Sequence, residues 1–448
     1  MSTDITGVND MENAAVSISS PQPPSATSTD EYPVVPSRAL PWHKARRQWI
    51  PKTIARWVFG KPLAPDEQEW AQVTDALWQG DAAMDNVVAW MFESNPGQRK
   101  KQFDQALLQG IESVTDAPAE LKAFFHHIDQ DPEWLDRDLM EKGIRSSHFA
   151  GDVAFYVLRD MALMGGYAYF NTLNQALAMT GALSKKTSLR LGETGKWLND
   201  VTEPEGLERF GEGFITTIRV RMVHALVRRN LNNKPQWQHA KWGLPINQMD
   251  MLATYLAFGP VTLMGVRMFG VPVTPGQSKA VMHMWRYVGW LLGLDEQWLA
   301  LTERDGLRKL YHTFLTHNEP DDKIRYLGEA LRNEPLTRYL PELERRPKAA
   351  SRKRRYLYHK HISNSALILG PLQRKQLGIS SLALPWYPLI SAPFRLGWHL
   401  YHRMRGPAAR ALFAQRCREQ QVRLLDSYFE GAEKDIIKPD IDHPAHVG

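Results

Sequence analysis

The stretch Gly211–Leu231, GEGFITTIRVRMVHALVRRNL, decides how the chain is read. It has no proline and no glycine beyond Gly213, and its apolar residues recur three and four apart. That pattern predicts a long helix packed on one side, here over residues 206–231. Residues three and four apart share a helical face. His224 therefore shares one with Thr217, Val220, Arg221, Val227 and Arg228. A neutral imidazole on an apolar stripe is suited to hold a metal in a dry pocket, and it is a common ligand of haem iron. Arg221 and Arg228 sit one turn to either side, a span that suits two carboxylates such as haem propionates. The same spacing also describes a core histidine bonded to a carbonyl, its arginines paired with Glu205, Glu208 or Glu212.

A second, shorter helix is read over Ser188–Val201, in TSLRLGETGKWLNDV. Arg190 and Thr194 are four apart and share a face. A cation and a hydroxyl aimed into a pocket can stabilise oxygen bound at a metal and pass it a proton. The alternative is a solvated helix carrying an Arg190–Glu193 pair.

The rest of the chain narrows the function classes. Its 448 residues are 43% hydrophobic, with fifteen Trp and sixteen Met, ample material for a buried pocket. The net charge of +6 is concentrated in HKARR (43–47), RRPKAASRKRR (345–355) and RMRGPAAR (403–410). No aromatic-interleaved pattern accompanies these runs, so no nucleic-acid partner is expected. A single cysteine, Cys417, excludes an intrachain disulfide framework, an iron–sulfur cluster and a Cys-rich zinc site. His399 and His402 are three apart, but no carboxylate stands at a helpful spacing for a metal. No HExxH, Walker A, GxGxxG or GxSxG pattern occurs.

Residues 1–40, rich in Ser, Thr, Pro and Asp, read as a disordered leader. A single helical domain is expected over 41–430, its core at 120–310, followed by a flexible tail at 431–448. Phe149–Met179 reads as one or two buried helices, kinked or closely packed at Gly165–Gly166. Further helices are expected at 249–268, 279–294, 296–314 and 407–430, with a basic loop at 344–356. Alternating β patterns are rare, so the fold class is all-α. No secretory signal and no spanning segment is read, and the expected location is cytoplasmic. Trp42–Lys61 and the proline-broken 380–400 segment are candidates for contact with a membrane surface.

Several stretches, taken in order, resemble one family. They are DPEWLD (131–136), FAGDVAFYVLRDMALMGGYAYFNTLNQALAMTGAL (149–183), RLGETGKWLNDV (190–201), GLERFGEGFITTIRVRMVHALVRR (206–229), WGLPINQMDMLATYLAFGPVTLMGVRMFG (242–270) and WRYVGWLLGLDEQWL (285–299). Together they resemble the oxygenase family of the mycophenolic-acid B enzymes and the latex clearing proteins. The resemblance implies a globin-like helical core binding one haem b. The family's V-R-x-x-H pattern, which carries the iron ligand, falls on Val220, Arg221 and His224. Its R-x-x-x-T pattern falls on Arg190 and Thr194. In latex clearing proteins a lysine before that threonine can occupy the sixth iron position; here Glu193 stands there. Those proteins also use a glutamate on the preceding helix as acid and base. Between Asp160 and Arg190 this chain has no carboxylate, and Asn174 and Gln175, near that place, cannot take up a proton as one would.

What the resemblance implies is an oxygenase that uses O2 to cleave a carbon–carbon double bond of an apolar, isoprenoid-like small molecule. His224 would hold the iron, Arg221 and Arg228 the propionates, and Arg190, Thr194 and Glu193 the oxygen and its proton. The departures also fit a haem-binding sensor, store or scaffold without turnover. A haem-free peripheral membrane protein is a third reading, resting on 42–61 and 380–400.

Overall fold

The computed structural model describes residues 34–47, 59–179, 187–317, 324–343 and 345–429. The tail expected at 431–448, most of Trp42–Lys61 and residues 1–33 of the expected leader lie outside these. The fold nevertheless starts before residue 40. Arg38 is fully buried, donating to both carboxylate oxygens of Asp250 (2.6 and 3.2 Å) and to the carbonyls of Thr316 and Trp242. A buried guanidinium with every arm engaged is a packed residue, so Arg38 belongs to the fold and not to the leader expected over 1–40.

Among the described residues there are helices and turns and no strand. The His224 helix, Glu212–Asn232, runs through the main apolar core. It begins six residues later than its periodicity suggests, because 202–211 fold as tight turns. Gly206 and Gly211 press onto backbone there, where a Cβ would lie 2.2 Å from the Asp200 carbonyl and 2.5 Å from that of Glu205. The Arg190 helix, Thr187–Val201, packs against one side of the His224 helix, and Ala82–Glu93 against another. Trp197 fastens the first pair, its indole N–H donating to Thr217 Oγ1 at 3.0 Å. Pro407–Phe429 lies over the Arg190 helix, and Gly192 and Gly195 allow the approach. A Cβ on Gly195 would come 2.4 Å from Phe155 and 2.9 Å from Leu425.

Two of the expected helical stretches are each interrupted by a π turn. Val157–Leu163 separates Asp152–Tyr156 from Met164–Tyr169, and Ala257–Val261 separates Gln248–Leu256 from Thr262–Met268. Pro260 explains the second: it has no N–H to donate and displaces the ladder. Thr262 Oγ1 then donates to the Ala257 carbonyl, five residues back, at 2.8 Å. The first irregularity precedes Gly165–Gly166 rather than falling on them. The apolar run Gln248–Met268 is long and apolar enough to cross a membrane, but 67% of it is buried in the fold. It is the core helix its composition suggested.

Two expectations need correcting. The basic run read as a loop at 344–356 is the first half of a helix, Pro347–Ser365, with Pro347 in its first turn. The helix read at 296–314 is a short 3₁₀ turn, Glu296–Trp298, and then Glu303–Phe314, capped by Thr302.

Candidate functional site

A cavity of about 740 Å3 opens beside His224, in the size range of sites that hold cofactor-sized ligands. Both π turns line it, through Leu158, Met161 and Leu163 on one and Phe258 and Val261 on the other. π turns gather at functional sites because the extra residue re-aims side chains. Trp197, Phe258 and Trp285 form an aromatic corner, with ring centroids 5.0 to 5.8 Å apart. Phe155, Tyr167 and Tyr169 also line the cavity. Met179 packs instead against the cluster of Val227, Leu231, Trp237 and Trp242.

The His224 helix presents Val220, Val223, His224 and Val227 to this space. The His224 ring is held deep in the fold, and its Nδ1 is buried with no hydrogen-bond partner. Burial first, and the Arg228 charge second, push its pKa down to about 4, against an opposing pull from Asp81. The imidazole is therefore neutral at physiological pH, the form that lends a lone pair to a metal. A core histidine satisfied by a carbonyl is not what the structure contains. Among the described residues no group of three or more His, Cys, Asp or Glu could hold a metal ion. A metal at His224 would need its other ligands from a macrocycle, so the residues present fit haem. His399 and His402 sit against Phe413 at 4.9 and 4.4 Å, an aromatic packing site.

Arg190, Glu193 and Thr194 line the same cavity as His224. Asn174 does too, its amide donating to the Tyr167 carbonyl at 3.3 Å, while Gln175 is buried away from it.

Arg221 and Arg228 are not brought to the cavity. Arg221 is buried in a two-point ion pair with Asp81 (2.6 and 2.7 Å) and also donates to the Leu291 carbonyl. Arg228 faces Asp85, with Nε to Oδ2 at 3.4 Å, and its guanidinium nitrogens are buried without a hydrogen bond. The reason is angular. On a helix at 100° per residue, Val220, Val223 and Val227 fall on one side of His224, and Arg221 and Arg228 on the other. His224 stands at the border, so residues sharing its face divide between the cavity and the Ala82–Glu93 helix.

Spacing from His224 also misses Arg219, which does line the cavity and has no ion pair or hydrogen bond among the described residues. Arg159 is another lining cation. It belongs to a buried network behind the wall, bonded to Asp160 (2.6 Å) and Glu334 (3.0 Å). His361 and Asn364 donate to Asp160 at 2.7 and 2.8 Å, and Arg338 grips Glu334. An Arg-Asp pair inside an otherwise apolar stretch was the available signal.

Residues 155–403 match a family model described as ER-bound oxygenase mpaB/B'/rubber oxygenase, catalytic domain. That span holds Arg190, Glu193, Thr194, Arg219 and His224. The rubber oxygenase of Streptomyces sp. (strain K30) is 26% identical over 204 residues, which cover 44% of this chain and 47% of that protein. The chain thus spans about half the length of the curated relative it matches. A solved structure of latex clearing protein in its closed state aligns with a TM-score of 0.54 at 17% identity, covering 78% of this chain and 91% of that one. At that identity the likeness concerns the fold.

Proposed function

The chain belongs to the mpaB and rubber oxygenase family, and on that premise we propose that it is a haem b-dependent oxygenase acting with O2 on an apolar, unsaturated, isoprenoid-like substrate. Haem, when bound, supplies the oxygen chemistry that cleaves a carbon–carbon double bond. His224 holds the iron through its neutral ring. Arg228 helps to keep that ring neutral, and Arg221 anchors the helix that carries it. The propionate-facing cation is Arg219 in place of these two. Arg190 and Thr194 would orient oxygen held there by hydrogen bonds, and Glu193 would supply or relay a proton. The apolar walls exclude water and align the substrate chain.

One observation carries this reading: an unpartnered neutral His224 on the wall of a large apolar cavity that Arg190, Glu193 and Thr194 share. The apolar volume beyond these polar groups favours turnover over a storing or sensing role. The test is the absorbance spectrum of protein made with ample haem, beside His224→Ala, together with O2 uptake on a short polyisoprenoid. The expected result is a Soret band lost in the variant and uptake only in the wild type. A haem-free wild type, or an unchanged spectrum in His224→Ala, overturns the assignment.

A further inference from the structure

The Trp386–Met404 helix is built inside out. Its inward face carries the polar groups: His399 and His402 are buried, Arg395 donates to the Phe269 carbonyl, and Arg403 donates to the Pro272 carbonyl and to Gln277. Its outward face is apolar, formed by Leu389, Ile390, Phe394, Trp398, Tyr401 and Met404 at helical spacing. Phe394 is 77% and Met404 80% exposed, and Leu382 and Leu384, just before the helix, extend the face. Isolated exposed apolar residues are ordinary, but a continuous helical stripe of them marks an interaction surface.

The charge around it identifies the partner. From Arg345 to Arg418 the chain has sixteen Lys and Arg and not one Asp or Glu. The exposed members include Arg405, whose guanidinium lies 5.6 Å from the Tyr401 ring centroid, and Arg410. A second copy of this chain would bring two such basic surfaces together, which like-charge repulsion opposes. An anionic bilayer satisfies both features at once: lipid phosphates and carboxylates meet the cations while the apolar face enters the acyl boundary. Trp398 and Tyr401 are residue types favoured at that boundary.

We propose that the Trp386–Met404 helix docks the protein on an anionic membrane surface, with Leu389, Ile390, Phe394 and Met404 among the acyl chains. The inference rests on the surface alone and stands apart from the haem assignment. The test is co-sedimentation of the full chain with phosphatidylcholine vesicles, with and without phosphatidylserine. The expected result is binding at least about tenfold stronger to the anionic vesicles, weakened by salt. Phe394→Asp with Met404→Asp should lower it at least about tenfold, and Arg405→Glu with Arg410→Glu should abolish the preference for anionic lipid. Helical circular dichroism should be unchanged in all variants. The proposal is overturned if the wild type binds neither vesicle or if the double aspartate variant binds as well as wild type. It is equally overturned by a dimer that the aspartates dissociate without any vesicle binding.

Discussion

The guanidinium of Arg221 meets the carboxylate of Asp81 edge to edge, Nε to Oδ2 at 2.6 Å and Nη2 to Oδ1 at 2.7 Å, with both side chains out of solvent. Gly293 completes the contact. Its φ is +86°, and a Cβ would stand 2.3 Å from Asp81 Oδ2. Removing one partner leaves an uncompensated buried charge, which costs about 3–5 kcal/mol. Arg221→Met should lose that much stability in urea titration, and Arg221→Met with Asp81→Leu should recover most of it. A propionate-binding Arg221 would instead lower haem affinity and leave the apoprotein's stability alone.

Arg219 gives the opposite pattern. It faces the cavity with no ion pair or hydrogen bond among the described residues, so Arg219→Gln should leave the apoprotein's melting temperature unchanged. Haem affinity should fall about tenfold, the loss of one charge-assisted hydrogen bond. Titration of apoprotein with haem, followed in the Soret region, measures it. An unchanged affinity would remove Arg219 from the propionate role.

Arg190 and Thr194 should separate binding from turnover. Arg190→Ala and Thr194→Val are each expected to keep the Soret band and lower the rate of O2 uptake about a hundredfold, the usual scale for a positioned donor. Glu193→Gln should likewise lower the rate of O2 uptake while keeping the Soret band. A rate loss that only follows haem loss would count against all three.

Gly195 tests the packing behind these residues. A Cβ there would lie 2.4 Å from Phe155 Cε1, and overpacking of this kind costs about 1–3 kcal/mol. Gly195→Ala should lower the melting temperature and shift the Soret maximum, since Thr194 is its neighbour. Gly166→Ala should do neither, because a Cβ there meets nothing within 4 Å.

Acid should destabilise the apoprotein through its buried histidines. Burial holds His312 and His361 at about 4, with Arg308 and Arg159 pushing in the same direction. The unfolded chain takes up those protons near 6.5. Between the two values the unfolded state binds more protons, so stability is full above 6.5 and falls as pH drops toward 4. At pH 5 each accounts for at most about 2 kcal/mol. Asp85 works the other way, burial raising it to about 6 from 3.8, and offsets part of the loss. Urea midpoints at pH 7 and pH 5, with His312→Gln flattening the difference, check the sign.

Periodicity marks the His224 and Arg190 helices and puts Arg190, Thr194 and His224 on candidate faces, the family resemblance adds Glu193, and all four line one cavity. Spacing does not divide a face between two neighbours, which is why Arg221 and Arg228 turned out to meet Asp81 and Asp85, over a hundred residues away. π turns leave no local trace, because one extra residue per turn changes the register without changing composition; only Pro260 hinted at one. The Pro347–Ser365 helix was read as a loop because charge crowds its first half. Its buried face carries Lys360, His361 and Asn364, polar residues matched by Asp160 from far upstream rather than by an apolar stripe.

The Arg221–Asp81 pair has a consequence for where this protein can be cut. Asp81 lies upstream of the matched segment 155–403, and Phe429 and Leu425, which close on Gly192 and Gly195, lie downstream of it. A fragment trimmed to those boundaries would strip the His224 helix of its counter-charge and the Arg190 helix of its backing. Residues on both flanks thus pack against the helices that line the cavity. A fragment of residues 155–403 is therefore expected to unfold at lower urea than the whole chain.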